Sequence, residues 1–403
     1  MAELGPVTCA GCGLLCDDVL IDWSGDDVRL HPRCGLGAEW FSERARRSAD
    51  TPAATIRGQP SDVETALSRA AELLRTARRP LVYGFDGATV NDARAAVALA
   101  DRLGALVATG GLVGAWPGAP AVPLRGASTA TLGEIRDRSR VVVIWREDPE
   151  ITHPRLLDRL GFGDTSRAPL EDRLLVVVDD RDTASARRAD VRLRLPAERD
   201  LEALTGLHIL ERKLAPHAPG LEAELGGLLK RINAVPHAAF VHGPGLTAGA
   251  GGQRRVLALH ELVRELSHDR HVVTLALSAA AGTRGAQEVL AWQTGYPENV
   301  DLGGGHPELV TDTGSLPPDQ SVDVSLCIEG AAAGLPAETT TIALSSLPIA
   351  GVEVSIRTAA AGVAATGVAH RLDGVPLELQ APLPGDAPTA ATLLGRLLEE
   401  LEQ

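Results

Sequence analysis

Four of the five cysteines stand close together near the N-terminus, in Cys9-Ala10-Gly11-Cys12-Gly13-Leu14-Leu15-Cys16-Asp17-Asp18 and at Cys34. The spacing is C-x2-C-x3-C, then seventeen residues, then C. Three thiolates on one tight loop and a fourth from a returning strand can enclose a [4Fe–4S] cluster, which is held by four Cys sulfurs. Gly11 and Gly13 let such a loop fold closely and free backbone N–H groups for the sulfurs. Two other readings stay open: the four residues bind one zinc tetrahedrally, or they are free thiols. A disulfide framework is not expected, because no secretory signal precedes them and only Cys327 lies elsewhere.

Other chemical signals are weaker. Gly243-Pro244-Gly245 after a strand could cradle a phosphate, but the proline removes an N–H from such a nest. Asp179-Asp180-Arg181-Asp182-Thr183 at a strand end reads either as a base-recognition loop or as a solvated loop with an N-cap. Gly303-Gly304-Gly305-His306 reads as a flexible loop, His153 beside Pro154 as a residue that orders a turn, and Cys327 as a small core residue. The histidines form no spaced metal set, and no nucleophile–base motif is visible.

The elements that must position these residues alternate between strand and helix. Val19–Asp22 and Val28–Leu30 read as strands round a Ser24-Gly25-Asp26-Asp27 turn that returns Cys34 toward the loop. Ser61 and Glu64 form a capping box for the next helix. Strands follow at 80–84, 105–108, 140–145, 174–178, 239–243, 271–275, 322–326 and 341–344. Helices are expected at 90–103, 153–160, 252–267 and 389–401. Strand–helix–strand units of this length imply parallel sheets. The expected fold is α/β: a Cys-rich lobe (1–50), a doubly wound lobe (51–200), a helical bridge (201–234), a second doubly wound lobe (235–350), and C-terminal strands and a helix (351–403).

With 403 residues, two or three domains are expected. The net charge of −14 excludes the cationic footprint that nucleic acid or an anionic membrane requires. No run is apolar over the length of a membrane span. The opening Met1-Ala2-Glu3-Leu4-Gly5 lacks the basic and apolar regions of a signal peptide, so a cytoplasmic location is expected.

The phrases Cys9–Asp18, Arg79-Pro80-Leu81-Val82-Tyr83-Gly84, Thr131-Leu132-Gly133-Glu134-Ile135, His153-Pro154-Arg155 and the run Gly285-Ala286-Gln287-Glu288-Val289-Leu290-Ala291-Trp292-Gln293-Thr294-Gly295-Tyr296-Pro297 carry a resemblance. The chain resembles, over nearly its whole length, the B subunits of the formylmethanofuran dehydrogenases, which have the molybdopterin oxidoreductase fold. The resemblance implies a tungsten or molybdenum bis-pterin between two lobes, a cluster that relays electrons, and a fourth pterin-binding domain on another chain of the enzyme. It also implies a second branch, in which a B subunit of this type serves a formyltransferase/hydrolase complex of methylotrophic bacteria without redox chemistry.

Departures from the family pattern choose between the branches. Where the active enzymes carry Val-Cys-His-Gly-Pro, this chain reads Val113-Gly114-Ala115-Trp116-Pro117, and neither Cys nor His occurs from 101 to 150. Gly114 cannot ligate a metal and Ala115 cannot move a proton. The family's Gly-x-Asn-Pro turn reads Arg146-Glu147-Asp148-Pro149, which places two carboxylates where an anionic diphosphate would sit, with Arg146 as a partial offset. The reading is therefore a non-redox B subunit that lacks a metallopterin and is not itself catalytic. Its partners would be the A, C and D subunits of a complex that carries a formyl group from formyl-tetrahydromethanopterin through a methanofuran-like carrier to formate. The alternatives are an active bis-pterin dehydrogenase chain and a free-standing iron–sulfur electron carrier.

Overall fold

Alternating strands and helices form a mixed α/β protein with parallel sheets. The computed structural model describes all residues except 1, 25–26, 46–51, 110–120, 164–169, 216–217, 250, 279, 311–320, 332–334, 336–337, 384 and 403. Contacts divide the chain into two units: residues 1–115 together with 279–403, and residues 116–278.

The first unit holds a nine-stranded sheet. Its five central strands are parallel, in the spatial order Leu106–Ala108, Pro80–Gly84, Val324–Ile328, Thr340–Ser345, Val354–Arg357. Antiparallel pairs close both edges: Val300–Asp301 with Glu308–Leu309 on one side, Ala54–Ile56 with Gln59–Ser61 on the other. Helices Val63–Thr76, Val90–Leu103, Thr283–Thr294 and Ala390–Glu402 supply much of the apolar cluster on one face, which is built almost wholly of Ala, Val, Leu and Ile. Helix Val90–Leu103 starts where Thr89 accepts from the Asp92 N–H and the Asp92 carboxylate accepts from the Thr89 N–H at 2.8 Å. The other Asp92 oxygen accepts from the Ala391 N–H at 2.7 Å and so ties the last helix to this cap. The box expected at Ser61 and Glu64 does not form: Asp62, one residue on, caps Val63–Thr76 by accepting from the Thr65 N–H at 2.8 Å.

The N-terminal strands Ala2–Val7, Val19–Ser24 and Asp27–His31 form an antiparallel sheet in chain order. The loop after Val7, the start of the second strand and the exit of the third lie at one end of this sheet, so antiparallel pairing alone brings the four cysteines to that end. The loop is also fastened to the C-terminal part of the unit. The Thr8 N–H donates to Gln380 Oε1 at 2.8 Å, the Leu372 N–H donates to the Gly13 carbonyl at 2.9 Å, and Ala10 and Leu15 pack with Ala361, Ala369 and Leu379.

The second unit holds a five-stranded, wholly parallel sheet in the order Val191–Leu193, Leu174–Val178, Val141–Trp145, His237–His242, His271–Ala276. The Leu-rich stretch expected to bridge two lobes forms helices Asp200–Glu211 and Glu222–Asn233, whose leucines join the core of this unit. The expected helix 153–160 is two short ones, Pro149–Thr152 and Leu156–Arg159. The two sheets are not consecutive along the chain. The chain leaves the first sheet after Leu106–Ala108 and returns to it at Val300–Asp301, the antiparallel neighbour of that strand, so the second unit lies within the connection between two adjacent strands.

Candidate functional site

Each unit has a candidate site, and each site lies where chain geometry gathers polar groups at the ends of strands. In the first unit it is the cysteine loop. The Cys9 N–H donates to the Cys16 carbonyl at 2.8 Å, and the Leu15 N–H donates to the Cys12 carbonyl at 3.2 Å with Leu15 at φ +41°. The loop thus turns twice within eight residues. Cys34 precedes helix Gly35–Ala45, and its carbonyl accepts from the Ala38 N–H. The Gly11 N–H donates to the Cys9 sulfur at 3.4 Å, the type of bond that steadies a thiolate. Gly37 is needed for the packing: a Cβ there would lie 3.0 Å from Cys9 Sγ and 2.6 Å from Leu30 Cδ1.

Cys9, Cys12 and Cys16 are buried, and Cys34 is half-buried. Burial pushes the Cys9 thiol far above its ordinary pKa, and the neighbouring Cys16, Cys12 and Cys34 push it the same way, outweighing the Gly11 N–H. Without a cation Cys9 is a neutral thiol. A bound metal reverses that balance, since a coordinating thiol is deprotonated outright. The donor set, four sulfurs within electrostatic reach of one another, suits a thiolate-held centre. Among the described residues no three His, Cys, Asp or Glu side chains converge tightly enough to hold a metal ion as they stand, so closing round one requires the thiols to turn inward.

In the second unit the site is the point where strand order reverses, between Val141–Trp145 and His237–His242. Open parallel sheets bind ligands there, outside the carboxyl ends of the strands. Here the chain's own side chains occupy it. Arg146 has φ +54°, the left-handed conformation that a glycine would adopt without cost. Its guanidinium donates to Asp200 at 2.9 Å, to Asp180 at 2.8 Å and to the Leu195 carbonyl, all pointing into its own unit. The expected offset of diphosphate repulsion by Arg146 is therefore not offered: this cation is committed to Asp200. Burial pushes the Asp200 carboxyl up, against the pull of Arg146 and the Trp145 indole N–H. Asp179 is also buried, but the Arg181 side chain and N–H hold it below the usual carboxylate range.

Glu147 and Asp148 complete the filling. Glu147 is buried, accepts from the Thr152 hydroxyl at 3.0 Å, and is pushed up chiefly by burial. A Cβ on Gly243 would lie 2.0 Å from Glu147 Oε2, and one on Gly245 only 1.9 Å from the Arg146 carbonyl oxygen. Gly243-Pro244-Gly245 thus lets two strand-end loops of one unit touch, which leaves no nest for a phosphate. Asp148 accepts from the Ala184 and Ser185 N–H groups at 3.1 and 2.9 Å, so it caps helix Ala184–Arg188 together with Thr183. His153 has both ring nitrogens engaged, Nε2 with the Ser278 carbonyl at 2.9 Å and Nδ1 with the Thr152 hydroxyl at 3.0 Å, and burial holds it neutral. A pterin diphosphate does not fit this crevice as it is built.

Several placements could not be read from sequence. Asp200 gives no motif that points to Arg146. Glu329 and Asp86, at the strand-order reversal of the first unit, are both pushed up by burial. Glu329 accepts from the Thr358 hydroxyl and the Ser346 N–H. Cys327, paired in register with Tyr83, is fully buried with its thiol pushed up by burial to about 11, as a core residue would be. Gly114 and Ala115, the positions expected from the resemblance to match the family's cysteine and histidine, lie outside the described residues.

No family model matches the chain. It is 27% identical over 417 residues to the B subunit of tungsten-containing formylmethanofuran dehydrogenase 2 from Methanocaldococcus jannaschii, with 93% of this chain and 92% of that one covered. It is 27% identical over 259 residues to the B subunit of the formyltransferase/hydrolase complex Fhc of Methylorubrum extorquens, covering 64% of this chain and 68% of the relative. Among solved structures, a chain of the Methylorubrum extorquens formyltransferase/hydrolase complex FhcABCD with methylofuran superposes with a TM-score of 0.70 at 25% identity, over 87% of this chain and 99% of that one. The resemblance carried by the cysteine loop and the 285–297 run is thereby borne out: this chain's relatives are the B subunits of formylmethanofuran dehydrogenases and of the formyltransferase/hydrolase complex.

Proposed function

We propose that this chain is the non-redox B subunit of a formyltransferase/hydrolase complex, assembled with A, C and D subunits. The complex takes a formyl group from formyl-tetrahydromethanopterin through a methanofuran-like carrier to formate. Hydrolysis and transfer belong to the A and D subunits, and this chain supplies structure and docking surface. Sequence identity is equal toward the two branches, so it does not choose between them.

The observation that carries the choice is the lost ligand pair: neither Cys nor His lies between 101 and 150, with Gly114 and Ala115 in their place. The filled crevice of the second unit supports the same reading, because Arg146, Glu147 and Asp148 are engaged within the protein. In this reading the fold is a molybdopterin oxidoreductase-like pair of doubly wound α/β lobes that has kept its frame and lost its metallopterin. Cys9, Cys12, Cys16 and Cys34 would hold a [4Fe–4S] cluster, or zinc in its place, with a structural role.

The test is metal and pterin analysis of the complex purified anaerobically from its native host, together with assays of formate release and of dye-linked oxidation. Formate release without tungsten, molybdenum or pterin is expected. Stoichiometric tungsten or molybdenum with dye-linked oxidation would establish the dehydrogenase reading instead.

A further inference from the structure

Two histidines that stand thirty-four residues apart in the sequence lie side by side in the second unit. His237 and His271 open the neighbouring parallel strands His237–His242 and His271–Ala276 and are paired in register. Side chains alternate between the faces of a sheet, so an in-register pair shares one face. The ring centroids are 5.3 Å apart, with the ring planes at 65°. Helix Leu132–Arg138 packs on the strand of His237 through its buried Leu132 and Ile135 side, and it carries Glu134. Glu134 Oε1 lies 3.9 Å from His271 Nε2. The spacing of these histidines along the chain gives no metal motif; parallel pairing of two strands is what joins them.

The separation of the rings is that of a chelating pair. Two imidazoles on one tetrahedral ion, each nitrogen about 2.0–2.1 Å from it, have centroids about 5 Å apart. Zinc accepts two His and one Glu and leaves its fourth position to water. Two ligands of one ion lie about 3 Å apart, so Glu134 must swing inward from its 3.9 Å separation. Its ion pair with Arg138, 3.5 Å long and at the surface, is of the weak kind that yields to such a move. The His271 side chain is 54% exposed, so an ion reaches it from solvent. Burial, and then the neighbouring His271 and Arg138, hold the His237 ring below its ordinary pKa, so it is neutral at pH 7, as a ligand must be. We propose that His237, His271 and Glu134 form a site for a divalent ion of the zinc type, with the imidazoles as the chelating pair and the carboxylate as third ligand. Imidazole donors suit zinc, copper and nickel, not magnesium or calcium. The inference rests on these three residues and does not depend on the assignment of the complex or on the cysteine loop.

The test uses the full-length protein and Zn²⁺ alone as the probe. Histidines are labelled with diethyl pyrocarbonate with and without zinc and read by peptide mass spectrometry. Zinc should protect His237 and His271 together and leave His268, which is exposed and outside the trio, unprotected. Competition with a chromophoric chelator should count one zinc fewer in the double variant His237→Ala/His271→Ala than in the native chain. Both carry the same cysteines, so the N-terminal loop does not enter the difference. Glu134→Gln should weaken this zinc about tenfold or more, since even an outer partner of a metal ligand is worth that much. Arg138→Ala, which removes a cation and releases Glu134, should tighten it. Thermal unfolding checks that each variant is folded, and where one is not, the labelling of the native chain decides. Equal labelling of the pair with and without zinc, or an equal zinc count in the folded double variant, would overturn the proposal.

Discussion

The Arg146 guanidinium lies 2.9 Å from the Asp200 carboxylate, and both side chains are almost wholly buried. This pair joins the strand-end turn 146–149 to the start of helix Asp200–Glu211. Arg146→Ala would leave a carboxylate buried without its partner, which typically costs about 3–5 kcal/mol. Equilibrium urea unfolding of Arg146→Ala should show a loss of that size, and adding Asp200→Asn should recover part of it. A loss below about 1 kcal/mol would mean that the pair does not anchor the turn.

The two glycines that face this turn predict different costs. In Gly245→Ala the new methyl would meet the Arg146 backbone oxygen, so the loops must separate, at about 1–3 kcal/mol or more. In Gly243→Ala it meets the end of the Glu147 side chain. Glu147→Ala should therefore rescue Gly243→Ala and leave Gly245→Ala unrescued. A double-mutant cycle measures this, and rescue of both or of neither would contradict the packing described.

Glu298 is fully buried beside Gln287, and burial pushes its pKa up to about 8. The folded protein holds this proton where the unfolded chain, with a carboxyl near 4.5, has released it. Its contribution to stability is thus complete below pH 4.5 and is lost as pH rises toward 8. The slope is roughly 1.4 kcal/mol per pH unit over that window. The stability of the native protein relative to Glu298→Gln should fall across it. A pH-independent difference from pH 5 to pH 8 would refute the buried protonated carboxyl.

The cysteine loop gives a prediction on metal content. Anaerobically prepared protein with a [4Fe–4S] cluster is brown and carries iron and sulfide; with zinc it is colourless. Replacing Cys9 or Cys34 with Ser should lower whichever metal is present to a small fraction. The loop is also held by Gln380 and by Leu372, so these variants should remain folded. Metal content unchanged in both variants would remove the site.

Much was legible from residue types and spacing. Apolar patterning placed helix Val90–Leu103 and strands Pro80–Gly84 and Leu174–Val178 at their observed limits, because periodicity is a local property of the chain. The cysteine spacing raised a four-thiol site as an expectation, and antiparallel pairing of three short strands brings the loop 9–16 and Cys34 to one end of their sheet. That 101–150 holds neither cysteine nor histidine was also legible, since an absent side chain can be read without coordinates.

Tertiary structure decided the rest. Strand order is set by which apolar faces can be buried together, so only the fold shows that the second unit makes its own sheet within the connection between two neighbouring strands of the first. The fate of Arg146 was decided in the same way. Its charge suggested a place beside a ligand's diphosphate. But Asp200, fifty-four residues away, is brought within bonding distance only when the sheet and helix pack, and a buried charge requires such a partner.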